Sequence, residues 1–392
     1  MLLSVMQARV GPVRNPFRFG ALAKDDDFAD REKELATLVA DAENGQDVVI
    51  FAPRRLGKSS LISAAMRQLI QNDVLVADID LWKIPTKEKL AEALASAIYS
   101  DIARLRDRAA EKAAGIFRGL RITPTMTIDP ESGNLTFSFS STAAQPDIDA
   151  TIERLLELPA ELGAEQGKSV VLVLDEFQEV GKIGADLTKL MRSVFQHQSE
   201  VSHIYLGSRR HLMEEIFNDE QEPFWRSAKQ MELGPIPRDE FSRFITKRFA
   251  DTGKKIEKSI VAEVLDQTGG HPYATQRLCY EVWQGTKQGE SAGQPEFEAA
   301  FQTVLESENS HFALIWDDAA TAQQQLLSAL AVEPGRPLRS DYRDRYGLPA
   351  TSTVQRAMQA LKNDELIGNG RDDKYRITEP FLAAWIRKNV LS

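Results

Sequence analysis

One cysteine, Cys279, stands in a chain of 392 residues. A lone thiol excludes an internal disulfide framework and most thiolate metal sites, and it points to a reducing, cytoplasmic setting. Long apolar runs are missing as well. The longest, at 48–52 and 170–174, have the length of buried strands. A membrane helix needs roughly 20 such residues, so no membrane partner is expected. The first twelve residues lack a basic start followed by an apolar stretch, so no signal peptide is expected. Basic excess is absent too: the net charge is −10. A protein that coats nucleic acid or anionic membrane with its whole surface is thereby disfavoured, though one local basic face is not. Neither an internal repeat nor a low-complexity tract interrupts the chain.

What is present is ordinary globular composition, with 42% hydrophobic and 27% charged residues. The length predicts two or three domains. Apolar bursts at 48–51, 74–79 and 170–174, with a weaker one at 203–206, lack polar alternation. Such runs suit strands covered on both faces. Helical patterns at 31–43, 59–71 and 87–108 separate them, which predicts a doubly wound α/β core with a parallel sheet. The long 87–108 pattern ends in Arg104, Arg106 and Arg108, read as a solvated face or a partner surface.

Residues 115–146 break this rhythm. Two alternating segments, 121–128 and 135–140, flank a turn at 129–134, which predicts an inserted hairpin. Beyond Pro235 and Pro237 the strand signals stop, and helices are expected at 238–251, 257–268, 272–286 and 297–312. Three short helices follow at 323–331, 338–346 and 351–364, then a turn at 369–373 and a strand at 374–378. That order predicts a winged helix-turn-helix. The expected division is a core at 1–235, a helical domain at 236–316 and the winged helix at 317–392.

Between the first strand and the second helix lies Ala52-Pro53-Arg54-Arg55-Leu56-Gly57-Lys58-Ser59-Ser60. A loop in that setting can turn its backbone N–H groups toward phosphate oxygens, and the helix N-terminus adds its dipole. Gly57 permits the positive φ that such a fold-back needs. Lys58 is placed for β- and γ-phosphates and the Ser59 hydroxyl for Mg²⁺. Ala52 replaces the first glycine of the usual pattern, the mildest exchange available.

The strand at 170–174 ends in Asp175 and Glu176. Paired with an upstream phosphate loop, Asp175 is expected to hold Mg²⁺ and Glu176 to polarise the attacking water of a hydrolase.

With both motifs in view, the chain resembles the AAA+-related ATPases of the STAND type, specifically the archaeal-type ATPase family. The resemblance runs from Asn15 nearly to the end. It rests on Asn15-Pro16-Phe17, on Phe28-Ala29-Asp30-Arg31-Glu32, on the phosphate loop, on Leu174-Asp175-Glu176-Phe177-Gln178-Glu179 and on Gly269-Gly270-His271-Pro272. Ala29 and Asp30 match their part of the pattern only loosely. The resemblance implies a P-loop NTPase core, a helical lid and a C-terminal winged helix-turn-helix, with ATP and ADP as ligands. Adenine specificity comes from this likeness alone. It further implies that Asn15, Pro16, Phe17 and Arg31 border the adenine and that His271 and Pro272 close over base and ribose. Ser208 and Arg209 take the sensor position, with Arg209 directed at the γ-phosphate. Arg226, in Pro223-Phe224-Trp225-Arg226, falls where oligomeric relatives offer an arginine to a neighbour's nucleotide. Its other reading is a surface stacking contact.

The winged helix leaves its partner open. Eleven Lys or Arg against seven Asp or Glu lie between Arg336 and Leu391. Thr351, Ser352, Thr353, Gln355, Arg356 and Lys362 on the expected recognition helix, with Arg371 and Lys374 in the wing, suit duplex DNA. A protein effector, or packing that holds the ATPase inactive, suits the same module. Two principal readings therefore stand. One is an ATP-driven switch that signals to a partner; the other is a DNA-processing or DNA-loading ATPase that assembles as a nucleotide-dependent homo-oligomer. A third reading, a structural nucleotide binder, is disfavoured because it would not need Glu176.

Overall fold

The computed structural model describes residues 14–20, 31–52, 55–102, 115–117, 119–128, 135–139, 145–370 and 372–391. They fall into two compact units. One holds Arg31–Arg54 and Lys58–Gly234, and the other holds Arg55–Gly57, Pro235–Ser392 and the described part of Met1–Asp30.

The first unit is built on five parallel strands: β1 (Val48–Phe51), β2 (Leu75–Asp80), β5 (Val170–Asp175), β6 (Val201–Gly207) and β7 (Lys229–Glu232). Their spatial order is β2-β5-β6-β1-β7. β1 and β6 are buried along their whole length, as strands covered on both faces must be. The weak apolar burst at 203–206 is thus a full seven-residue strand at the centre of the sheet. Its polar members hide for local reasons. Ser202 donates to the Ala42 carbonyl, and His203 bonds Asp47 through both its N–H and Nδ1. β7, the edge strand, is exposed except at Met231, and such a short, mostly polar stretch does not stand out.

The expected hairpin is present as β3 (Thr125–Ile128) and β4 (Leu135–Ser138), paired antiparallel. Its turn at 129–134 lies outside the described residues. Phe137 anchors it against Tyr99 and Phe117. Of the helix expected at 87–108, residues 103–108 lie outside the described residues. Lys87–Ala97 is α-helical, and Ile98–Ile102 forms a π turn that buries Ile98, Tyr99 and Ile102. One extra residue in the turn shifts side-chain phase, which lets a run richer in bulky groups face the core. Arg104, Arg106 and Arg108 lie outside the described residues.

The second unit is helical, with Arg238–Asp251, Lys258–Thr268, Pro272–Gly285 and Gln294–Asp318 in succession. They are joined by two-residue strands β8 (Lys255–Ile256) and β9 (Ser291–Ala292). Thr321–Val332, Ser340–Tyr346 and Thr351–Asn363 follow, then the hairpin of β10 (Ile367–Asn369) and β11 (Tyr375–Ile377) and a final helix Pro380–Asn389. This is the expected winged helix. Gly335 adds a backbone bridge to Tyr375 beside the wing. The unit's apolar core runs from Phe241 and Ile245 through Leu278 and Val304 to Leu361 and Trp385. Arg371 lies outside the described residues. Among the described residues, no helix is long and apolar enough to cross a membrane.

Candidate active site

Parallel strands bring their C-terminal ends to one edge of the sheet, where ligands of open α/β folds collect. Strand order does the rest. β6 lies between β5 and β1, so the residues following these three strands are neighbours. The register sets Leu174 beside Tyr205 and Phe51 beside Gly207. Carried two residues on, that register sets Glu176 level with Gly207 and so next to Ser208.

After β1 the chain enters the phosphate loop. Ala52 is fully buried, and its φ is not positive. A methyl group is accommodated here, so a glycine is not required at this position. Pro53 and Arg54 lie outside the described residues. Arg55 and Gly57 both have positive φ, 64° and 88°, the left-handed backbone that turns a loop back on itself. Leu56 is buried. Within the second unit the Arg55 guanidinium lies 4.5 Å from the Tyr273 ring centroid, and its Nη1 is 3.6 Å from Glu379 Oε2. Lys58 opens the helix Lys58–Gln71 and is 8% exposed; Ser59, next to it, is exposed and Ser60 half-buried.

The two carboxylates sit in contrasting surroundings. Asp175 ends β5 opposite Asp80 of β2 and accepts the Glu176 N–H at 2.8 Å. Burial raises its pKa, and the charges of Glu176 and Asp80 add to this against the pull of Lys58. Glu176 is left-handed, with φ 53° and ψ 45°. Burial opposes its anion as well. Hydrogen bonds from Gln178 and Ser208 and the charge of Lys58 outweigh that, so its carboxyl is held below the usual range. Ser208 Oγ donates to Glu176 Oε2 at 2.7 Å, and Gln178 Nε2 donates to the same oxygen.

Lys58, Asp175, Glu176 and Ser208 are thus brought together at one edge of the sheet. Arg209, half-buried, stands next to Ser208 and caps the helix Arg210–Asn218. Arg226 is exposed, has φ 49°, donates its N–H to the Phe217 carbonyl and lies 5.2 Å from the Trp225 ring centroid. Arg31 is buried. It caps the helix Glu32–Glu43, pairs with Glu34 at 3.3 Å and donates to the Gly234 carbonyl at 2.7 Å.

Other expected residues belong to the second unit. Asn15 donates to the Tyr280 carbonyl at 3.0 Å and accepts the Phe17 N–H. Pro16 is half-buried between them, and Phe17 packs among Phe244 and Phe249. His271 caps the helix that begins at Pro272, its Nδ1 accepting the Ala274 N–H. Gly270, at φ 73°, turns the chain just before it. A Cβ there would lie 2.5 Å from the Ile236 carbonyl oxygen, so only glycine fits. Gln178 was not among the expected site residues; its signal in the sequence is its place in the motif Leu174-Asp175-Glu176-Phe177-Gln178-Glu179, two residues after Glu176.

For a metal, the local donors are hard oxygens: the exposed Ser59 hydroxyl and the Asp175 carboxylate. Among the described residues, no group of three or more His, Cys, Asp or Glu could hold an ion alone. That donor set fits Mg²⁺, which binds through one or two carboxylates plus nucleotide phosphates and keeps several waters.

Residues 28–278 match a family described as an ATPase domain predominantly from Archaea, and residues 310–388 match a probable winged helix domain. No curated protein matches. Among solved structures the chain is similar to the Walker-type ATPase PABY2304 of Pyrococcus abyssi. Identity is 19% and the TM-score 0.64, with 95% of this chain and 99% of that chain covered. It is also similar to the ORC2 protein of Aeropyrum pernix, at 12% identity and TM-score 0.46 over 97% of this chain and 99% of that one. The RuvB Holliday junction branch migration motor of Thermotoga maritima matches at 13% identity and TM-score 0.42, over 91% and 95%. At such identities the likeness is one of fold alone. The family match covers well over half of the chain and coincides with the phosphate loop, the carboxylate pair and the parallel sheet. This chain belongs to the archaeal-type family of ATP-hydrolysing P-loop proteins and carries a C-terminal winged-helix domain.

Proposed function

We propose that Glu176 activates the water that hydrolyses ATP, and that the winged helix carries the nucleotide state to duplex DNA. The observation that supports the first part is the Glu176 carboxylate itself. Ser208 holds it at 2.7 Å, and the bonds from Gln178 and Ser208 with the charge of Lys58 keep its carboxyl below the usual carboxylate range. In this reading the water oxygen bonds to the γ-phosphorus while the bond from that phosphorus to the bridging oxygen breaks. ADP departs with the bonding electrons. The water's proton passes to Glu176 and then to the released phosphate. Lys58 binds the β- and γ-phosphates, and loop amides from Ala52 to Ser60, those of Arg54, Arg55 and Leu56 included, cradle them; Pro53 has no N–H to give. Mg²⁺, held by Ser59 and Asp175, would neutralise charge on the same phosphates. Arg209 would face the γ-phosphate, with Ser208 as sensor.

In the same reading, Asn15, Pro16, Phe17 and Arg31 border the base, and segment 236–316 acts as a lid through His271 and Pro272. Segment 317–392 is the output module. Arg226 is exposed where an arginine can be offered to a second copy, which makes nucleotide-dependent assembly part of the proposal.

Duplex DNA is favoured by the outer face of the helix Thr351–Asn363. Thr351, Ser352, Gln355, Arg356 and Gln359 are all exposed there, while Val354, Ala357, Met358 and Leu361 are buried. Hydroxyl, amide and guanidinium groups are what a groove or a phosphate line accepts. A protein effector is the second reading, favoured by the acidic wing residues Asp372 and Asp373, which pair with Arg376 and Arg336. The test is steady-state ATP hydrolysis with and without duplex DNA at low and moderate salt. Stimulation that fades with salt is expected for DNA. Turnover indifferent to DNA would turn the search to a protein.

A further inference from the structure

Gln178 plays no part in the steps above, yet it touches their central carboxylate. Its Nε2 donates to Oε2 of Glu176, the oxygen that also accepts from Ser208 Oγ. A carboxylate only accepts, so the amide must present its NH₂ and not its oxygen to Glu176. Gln178 is 6% exposed, and its Oε1 is buried with no hydrogen-bond partner among the described residues.

The fold also makes room for this amide. Gly207 ends β6 beside it, and a Cβ there would lie 2.6 Å from Gln178 Oε1 and 2.3 Å from Met213 Cγ. The φ of Gly207 is not positive. Space, and not backbone conformation, is what demands glycine at this position.

We propose that Gln178 is a positioning residue for hydrolysis: together with Ser208 it occupies Oε2 of Glu176 and so leaves Oε1 aimed at the attacking water. Two donors on one oxygen fix the carboxylate's rotation, which a single hydroxyl cannot do. The inference rests on Glu176 being the group that accepts the water's proton. Positioning of this kind acts on the chemical step and leaves nucleotide binding alone.

The test uses the full chain with Gln178→Met, which keeps length and removes the donor, and Gln178→Asn, which keeps the amide but withdraws it. Turnover, KM, affinity for a fluorescent ATP analogue and melting temperature are measured, alone and in a Glu176→Gln background. Both variants are expected to lower kcat about tenfold, a part of the roughly 10²–10⁴-fold that general-base chemistry contributes. KM and affinity should stay within about twofold. In the Glu176→Gln background, Gln178→Met should change the residual rate by less than about twofold, since nothing remains to be positioned. Unchanged kcat, an equal loss in both backgrounds, or a joint fall of affinity and melting temperature would overturn the proposal. Should Gln178→Met fail to fold, Gln178→Asn decides on the same readouts. Normal turnover in Glu176→Gln alone would instead overturn the role of Glu176, and it is read first.

Discussion

Ser208 Oγ donates to Glu176 Oε2 across 2.7 Å, joining the residue after β6 to the residue after β5. The contact exists because those strands are paired neighbours and their register puts Glu176 beside Gly207, one residue before Ser208. It also accounts for a strained backbone. Glu176 has a left-handed φ of 53° without being glycine or asparagine. Such a conformation costs on the order of 1–3 kcal/mol and persists where surrounding contacts over-determine it. Here the contacts are the Ser208 and Gln178 bonds, the Glu176 N–H to Asp175 and the Glu179 N–H to the Glu176 carbonyl.

Lys58→Ala should lower nucleotide affinity by at least about tenfold, the scale of losing a hydrogen bond to a charged group. Equilibrium titration with a fluorescent ATP analogue measures it. Unchanged affinity would remove the phosphate loop from the account.

Arg226→Ala should leave the melting temperature nearly unchanged, because the side chain is exposed and lies beside the likewise exposed Trp225. Surface changes of this kind usually fall within about 0.5 kcal/mol. Turnover should drop only at protein concentrations where copies assemble. An equal loss in dilute monomer would defeat its role in trans.

Cys279 should be inert in the native protein. The thiol is fully buried, and burial pushes its pKa well above the ordinary value, so the reactive thiolate is scarce at neutral pH. Labelling with a thiol reagent, followed by mass, should be slow without denaturant and complete in it. Rapid native labelling would contradict the packing of the helix Pro272–Gly285.

Phe177→Ala should cost about 3–5 kcal/mol, the range for emptying an aromatic site in a core. Phe177 is fully buried between Tyr205, Phe217 and Phe224. Urea unfolding followed by circular dichroism gives the value. A loss below about 1 kcal/mol would mean that the aromatic cluster does not brace the Glu176 turn.

Much of this was legible in the sequence, for identifiable reasons. Val48–Phe51 and Val170–Asp175 are buried on both faces, so their apolar runs carry no competing signal. Gly57-Lys58-Ser59 and Asp175-Glu176 announce themselves by composition. The winged helix follows from three short amphipathic helices and a turn, and the helix Thr351–Asn363 lies within a residue of expectation. Other parts were hidden. The helix Gln145–Gln166 contains Pro159, which normally ends a helix. Its apolar face, Ile148, Ile152, Leu155 and Leu162, sustains it through tertiary packing. β7 is too short and too exposed to read. The bonds of Gln178 depend on where Gly207 lies, and no local pattern carries that.

Single-turnover hydrolysis by Glu176→Gln tests the role of Glu176 most directly. Bound ATP would be followed by quench and separation, beside an independent measure of affinity. The expected result is ATP bound as tightly as in the unaltered chain and hydrolysed at least about a hundredfold more slowly, the lower bound for removing a general base. Hydrolysis at the unaltered rate, with affinity retained, would contradict the role assigned to Glu176.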